Sequence, residues 1–589
     1  MLGGVRKQLH HLALVLGLVV MSSLMLRGYT TDSPTEDELT HMVRGIAYWR
    51  GADTRLSYAH PPLGNAWTAL PVAWDEGNPD VNQLRGWKTA TAATTTRSYV
   101  NKDYGYARDQ LMRARLAAMA LGVVLVTYVY YFCLGTFGLR TALAALVLLV
   151  FNPVLIAQSR YVTTDAAAAL GFTVAVGELI RYLRGARFGL LRVTLGVSLA
   201  MLTKYSGIAL VPLTLLAVSV CAVAGLGQFQ ALPSKARYLR LARDGALMLA
   251  GVVLCINLAY KGNDTGLQVG EILDRREPSY WVSSKYPNLF ERFTPLPHLP
   301  RALPVPLPYT YMFGFAGIRG HSHNGFTSYF MGERLTRAPF YYLPVLLVIK
   351  SPPGLLALLL GAAYLLLRRR SLALPSWVLA AAIGTFLLMA SRSNLAMGIR
   401  HGLPVLAPLS VLAARAFDLL WLKFPVVWAQ AALAAALTSV GVSGVTAGPD
   451  YLGYFNVLVG GREGGHEISI YGEDWGQDRE RLAQLVKEKG LKPLYYDPQT
   501  AMRAQEVRHL GMSYRSLRCG TRVKEGWVAL HALTYRTRDI AKCHPYLEGR
   551  APDLHINHHI YLWQVGSHKG PAAPEPNDDA DADEAPEDD

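Results

Sequence analysis

The apolar residues of this chain are gathered into runs, and those runs set the limits on what it can fold into. They are about 16 to 25 residues long with few charges, long enough to cross the hydrocarbon core of a bilayer as helices. With 589 residues, 51% of them hydrophobic, the alternative is a string of soluble domains, and the uneven spacing of the apolar runs argues against it. The runs lie at His11–Leu26 and near residues 115–135, 141–158, 166–182, 190–204, 207–225, 245–260, 341–367, 373–391, 402–418 and 425–447.

Charge orients them. The formal net charge of +15 would suggest nucleic acid in a soluble protein. Here the basic residues fall in short loops between apolar runs, where the positive-inside rule accounts for them. Arg6 and Lys7 precede the first run, Arg181 to Arg192 form a basic loop, Lys235, Arg237, Arg240 and Arg243 form another, and Arg368-Arg369-Arg370 a third. One topology puts all of these on the cytoplasmic side. The expected fold is an α-helical polytopic membrane protein with about eleven transmembrane helices, the N-terminus inside and the C-terminus outside. No A-x-A cleavage site follows the first run, so it reads as a retained membrane helix.

Three parts follow. Residues 1–449 are the transmembrane part, with long external loops at 28–113 and 261–340. In the first loop Trp49, Trp67, Trp74 and Trp87 suggest short amphipathic helices along the membrane surface. Residues 450–569 have the composition of a small external α/β domain, with strands expected at Glu467–Tyr471, Pro493–Tyr496, Trp527–Leu533 and His559–Val565 and a helix at Asp478–Lys489. Residues 570–589 alternate Ala, Pro, Asp and Glu and read as a disordered acidic tail. Of five cysteines, Cys133, Cys221 and Cys255 lie in apolar runs as packing residues. Cys519 and Cys543 would pair if their domain is exported. His555, His558 and His559 cluster without a defined partner carboxylate, so no metal site is assigned to them.

On this topology the polar residues that are hardest to explain gather on one face of the membrane. Asp37 and Glu38 open the first external loop, followed by His60. Asp165 stands at a helix mouth and Lys204 ends a span. Lys350 lies in the run 341–367, and Arg392, Arg400 and His401 flank the last external turn. An ionisable residue at a helix mouth or inside a span is costly, so function is the default reading, with snorkelling to the interface the bland alternative for each base. Carboxylates facing basic side chains suit one chemistry well. A carboxylate deprotonates an acceptor hydroxyl while Arg and Lys hold the phosphate leaving group of an activated donor. No Gly-rich phosphate loop or Walker pattern is present, so the donor would be lipid-borne rather than a nucleotide sugar.

At these residues the chain resembles the C-type membrane glycosyltransferases, near the protein O-mannosyltransferases and the bacterial aminoarabinose transferases. Asp32-Ser33-Pro34-Thr35 leading to Asp37-Glu38 and His41 is similar to the family's first-loop acidic motif, and His60-Pro61-Pro62-Leu63-Gly64 to its following segment. Tyr161-Val162-Thr163-Thr164-Asp165 resembles the second-loop acid, Lys204-Tyr205-Ser206-Gly207 a lysine turn, and Arg400-His401-Gly402-Leu403-Pro404 a late arginine element. Tyr454-Phe455-Asn456, Gly460-Gly461 and Asp474-Trp475-Gly476-Gln477-Asp478 resemble a signature of bacterial members with an external C-terminal domain.

The resemblance implies inverting transfer of a sugar from a polyprenyl-phosphate carrier to an acceptor hydroxyl of protein Ser/Thr, lipid or glycan, at the external face of an inner (plasma) membrane. It makes Asp37 or Glu38 the base, with Asp37 preferred. Lys204, Arg400 and His401, together with Lys350 from its place in the run 341–367, are assigned to the donor phosphate, and Asp165 and His60, together with Glu333 of the second long loop, to the acceptor side or the lining of the site. Asp474 or Asp478 would cap the following helix while Trp475 packs toward the membrane. No cofactor or metal ligand set is assigned, although carboxylates near a lipid phosphate could hold a divalent ion. The rival reading is a polytopic transporter or lipid-linked-sugar flippase. Such proteins usually carry repeat symmetry and paired broken helices, and neither is visible here.

Overall fold

The computed structural model describes residues 2–51, 53–275, 288–368, 373–499 and 506–566. Arg369 and Arg370 of the third basic loop and the acidic segment 570–589 lie outside them. Among the described residues, eight helices are long and apolar enough to span a membrane: Leu9–Leu26, Tyr104–Thr136, Asp165–Leu183, Tyr205–Phe229, Ser234–Ala259, Leu374–Ser391, Ile399–Lys423 and Val427–Thr446. A ninth is the pair Leu139–Val150 and Pro153–Arg160, bent by 60° at its break. Asn152 makes that bend: its side chain accepts from the backbone N–H groups of Val154 and Leu155 and so caps a new helix that starts at Pro153. Among the described residues, two apolar helices fall below the spanning length. Gly189–Thr203 and Pro353–Leu367 are apolar helices of 15 residues each.

The run 341–367 is not one helix. It breaks between Tyr342–Lys350 and Pro353–Leu367, because Pro352 and Pro353 lack the N–H groups that would continue the helical ladder. Lys350 therefore sits at a break in the chain rather than within a span. At the end of the molecule where the basic loops lie, three buried acids are clasped by arginines. Glu178 meets Arg181, Asp418 meets Arg140 and Arg415, and Asp244 meets Arg240 and Arg243.

At the other end, the loop 28–103 folds into the helices Glu38–Arg50, Pro62–Ala69 and Ala92–Val100. Leu39, Met42, Val43, Ile46, Trp87, Tyr99 and Leu111 form their core. Gly45 lets the first two cross closely, since a Cβ there would stand 2.1 Å from the Asn65 carbonyl oxygen. That crossing sets His41 against Asn65 and beside His60.

The C-terminal region is a five-stranded mixed sheet. Its strands are β3 (Leu494–Tyr496), β4 (Arg515–Ser516), β5 (Gly526–His531), β6 (Leu554–Ile556) and β7 (Ile560–Val565), in the order β4-β3-β5-β7-β6. A separate hairpin of β1 (Ser328–Phe330) and β2 (Glu333–Leu335) belongs to the second long loop. In the sheet β3 runs parallel to β4 and β5, while β7 is antiparallel to β5 and β6. The helix Arg479–Lys489 covers one face through Leu482 and Val486, and Trp563, Val528 and Leu517 pack on the other. Cys519 and Cys543 are disulfide-bonded.

Two strand expectations are corrected. Residues Glu467–Tyr471 are not a strand: the helix Gly461–Ile468 runs into them, and only Ser469 bridges to Phe330 of the hairpin. The cause is Gly465, which lets that helix lie directly on the Phe455 ring. The strand at Trp527–Leu533 stops at His531, where Ala532–Thr537 turns into a helix.

Candidate functional site

Asp37 immediately precedes the helix Glu38–Arg50, and its carboxylate receives Arg400 Nη1 at 2.9 Å. The side chain lies deep within the molecule, yet it is 43% exposed because it borders an internal cavity. Burial alone would raise the Asp37 pKa. The charges of Arg400 and His41 outweigh that and hold it below the usual value. His41 Nδ1 lies 2.8 Å from Asn65 Oδ1. Burial pushes the His41 pKa down to about 4, against the pull of Asp37, and burial next to His41 and Arg44 holds His60 well below its ordinary value. Both imidazoles are thus neutral near pH 7.

Facing them, Asp165 begins the helix Asp165–Leu183, where the helix dipole favours a carboxylate. Lys204 Nζ reaches it at 2.5 Å. Lys204 takes extended backbone between the helix Gly189–Thr203 and the turn Tyr205–Ala209. Gly207 permits that turn, since a Cβ there would meet the Ala200 carbonyl at 2.4 Å. Arg400 and His401 lie in the turn Ile399–Gly402 at the mouth of another apolar helix.

Asp37, His41, His60, Asp165, Lys204, Arg400 and His401 all line one cavity of about 210 Å³, whose wall also includes Tyr58, Phe313, Gly314, His321 and Phe326. A second cavity of about 320 Å³ is predominantly apolar, with Phe315, Leu343, Phe386 and Met389 in its wall. The two share Ala59, His60, Lys204, Ile318, Leu395 and His401. Both walls are mostly apolar; two carboxylates and two cations are gathered in the smaller cavity, which adjoins the larger one.

Three residues singled out from the sequence lie elsewhere. Glu38 is fully buried. It takes Arg115 Nε and Nη2 at 2.8 and 2.6 Å, and the N–H groups of Thr35 and Val162 at 2.8 and 2.9 Å. All its acceptor capacity is used inside the protein, away from the cavity. Lys350 is buried in an ion pair with Glu473, donates to the Leu452 carbonyl, and lies over the Phe455 ring at 3.5 Å. It faces the C-terminal region rather than the cavity. Glu333 is exposed in the hairpin of β1 and β2, outside the cavity lining.

Asp474 and Asp478 do not cap the following helix through their side chains. Asp474 accepts from His531 Nδ1 at 2.5 Å, and Asp478 holds His559, Arg481 and Asn557 at 2.7, 2.5 and 2.8 Å. Trp475 packs against the transmembrane part, beside Tyr161. Its ring stacks under Arg400, with Cζ at 4.8 Å from the centroid.

Arg115 and Glu473 escaped the reading of the sequence. Arg115 carried a signal, a charge at the mouth of an apolar run. Glu473 carried none, because its partner is more than a hundred residues away. Among the described residues no three His, Cys, Asp or Glu side chains converge as a metal site.

Residues 14–261 match the family model described as dolichyl-phosphate-mannose-protein mannosyltransferase. No curated protein matches the chain. Solved structures are similar at low identity. ArnT from Cupriavidus metallidurans in the apo state aligns at 15% identity and TM-score 0.45, over 96% of this chain and 100% of that one. The same protein bound to undecaprenyl phosphate aligns at 16% and 0.44, over 95% and 99%. The oligosaccharyltransferase AglB from Archaeoglobus fulgidus, in complex with an inhibitory peptide and a dolichol-phosphate, aligns at 12% and 0.46, over 87% and 60%.

Proposed function

We propose, from the premise that residues 14–261 are a glycosyltransferase domain of the dolichyl-phosphate-mannose-protein mannosyltransferase family, that the protein moves a sugar from a polyprenyl-phosphate carrier onto an acceptor hydroxyl at the external face of the membrane. The observation that carries this reading is the pairing of two chambers. The larger one suits the lipid end of the donor, and the smaller one, which holds Asp37, Asp165 and Arg400 and joins it at His60, Lys204 and His401, suits the sugar phosphate.

In the proposed reaction Asp37 takes the acceptor proton as the hydroxyl oxygen attacks the anomeric carbon from the side opposite the phosphate. The bond to the phosphate oxygen breaks, and the configuration inverts. Lys204 and Arg400 neutralise the charge that develops on the leaving phosphate, which no proton need quench. Asp165 keeps Lys204 aimed at that position. Neutral His60 offers a hydrogen bond without adding charge, and His401 stands beside it in the wall shared by both cavities. The family name couples the mannose of a dolichyl phosphate to protein; for this chain the supported class is a polyprenyl-phosphate sugar and a hydroxyl acceptor on protein Ser/Thr, lipid or glycan.

A transfer assay with purified protein and radiolabelled polyprenyl-phosphate hexose tests the reading, wild type against Asp37→Asn. Loss of label from the carrier with wild type and not with the variant supports it. A carrier left intact by the wild type with every common sugar would overturn it in favour of a flippase. An active Asp37→Asn enzyme would remove Asp37 as the base.

A further inference from the structure

The segment Glu473–Asp478 belongs to the C-terminal region, but it is laid against the acidic loop that carries Asp37. The Ser33 N–H donates to the Gln477 carbonyl at 2.9 Å and the Glu36 N–H to the Trp475 carbonyl at 3.0 Å. In return the Glu480 N–H donates to Ser33 Oγ at 2.7 Å, and Arg479 donates to the Pro34 carbonyl. The segment is itself braced: Gln477 accepts from the Trp475 N–H and donates to the Glu473 carbonyl, both at 2.8 Å. The outcome is that Trp475, 8% exposed, meets Arg400 from the side away from the cavity, while Arg400 reaches Asp37.

A guanidinium has many rotamers, and one N–H to a carboxylate does not fix its plane. A tryptophan face does, and it is the best aromatic partner for a cation. We propose that Trp475 is a positioning residue for the transfer reaction: its indole face fixes the plane of the Arg400 guanidinium, so that one N–H holds Asp37 and the others are presented to the leaving phosphate. The C-terminal region thereby completes a site whose reacting groups all come from the membrane part. This rests on the reading of Asp37 and Arg400 given above.

The test uses the full-length protein in detergent or liposomes, with the polyprenyl-phosphate hexose assay. Trp475→Leu keeps bulk and removes the ring. It is expected to lower kcat about ten-fold, whereas Trp475→Phe keeps a ring face and most of the rate. The acid limb of the pH–rate profile reads the same contact. Asp37 is faced by Arg400, His41 and Asp165, and loosening Arg400 in Trp475→Leu is expected to move that limb upward. A packing role alone would lower the yield of folded protein and leave the limb of the surviving enzyme in place.

Trp475→Leu with wild-type kcat, or Leu and Phe variants equally impaired with an unmoved acid limb, overturns the proposal. If Trp475→Leu does not accumulate in membranes, Trp475→Met, which also lacks a ring, combined with Arg400→Lys decides it. Losses smaller together than the sum of the single effects support the contact, and additive losses overturn it. Failure of this inference and failure of the functional reading are distinguishable, because the latter appears as an inactive wild type.

Discussion

Asp37 and Glu38 are neighbours in sequence with opposite surroundings. Glu38 is closed in by Arg115 and two backbone N–H groups, whereas Asp37 is ion-paired among the described residues to Arg400 alone and keeps an open flank. Asp37→Asn is expected to leave the protein folded and to cost about 10²- to 10⁴-fold in transfer, the usual range for a general base. Glu38→Gln leaves the buried Arg115 charge without its counter-ion, a loss of about 3–5 kcal/mol in stability. The yield of folded protein and its thermal midpoint separate the two cases.

The pH dependence follows from the same residues. A carboxylate held below its usual pKa is ionised at all higher pH, so activity due to Asp37 falls only as pH drops below about 4. His41, pushed down to about 4, likewise adds no limb near neutrality. A pH–rate profile measured at saturating donor checks both. Lys204→Ala removes a point charge from the leaving-group side and leaves Asp165 without its cation. It is expected to raise the KM for the donor and to lower kcat, by about ten-fold or more overall.

At the scale of elements, the sheet is tied by buried ion pairs to the segment 450–478 that leads into it. His559 of the β6–β7 turn sits among Asp450, Asp478 and Asp474. Burial alone would lower its pKa, but these carboxylates outweigh burial and hold it up to about 9. A base whose folded pKa exceeds its unfolded value adds stability that is complete below about 6.5 and is lost as pH climbs through about 9. Thermal unfolding of the protein in detergent should therefore show a falling midpoint between those values. The fall should be shallower in His559→Gln, which starts from a lower midpoint. A wild-type midpoint flat across this window would remove His559 from that role.

For the whole molecule the central expectation is sidedness. Asn82 in the first long loop and Arg187 in a basic loop are both exposed, so each can be replaced by cysteine without disturbing the core. In inside-out and right-side-out vesicles, an impermeant maleimide is expected to label Asn82→Cys from the outside only and Arg187→Cys from the inside only. Labelling of both from one side would contradict the topology and, with it, an external active site.

What the sequence determined by itself was everything that depends on neighbours along the chain. Apolar runs form helices wherever they occur, since a backbone in lipid must bond to itself, and each of the eleven runs falls on helix here. Asp37, Asp165, Lys204, Arg400 and His401 could be singled out because a charge beside an apolar run is conspicuous without any fold, and His60 through the motif it belongs to. The tertiary structure decided which of the two adjacent acids faces the cavity, because Arg115, which claims Glu38, is 77 residues away. It also assigned Lys350 to Glu473, left Glu333 in solvent, and brought Trp475 beneath Arg400. These are pairings between segments far apart in the chain, chosen by packing and by the cost of burying a lone charge, and local pattern contains no record of them.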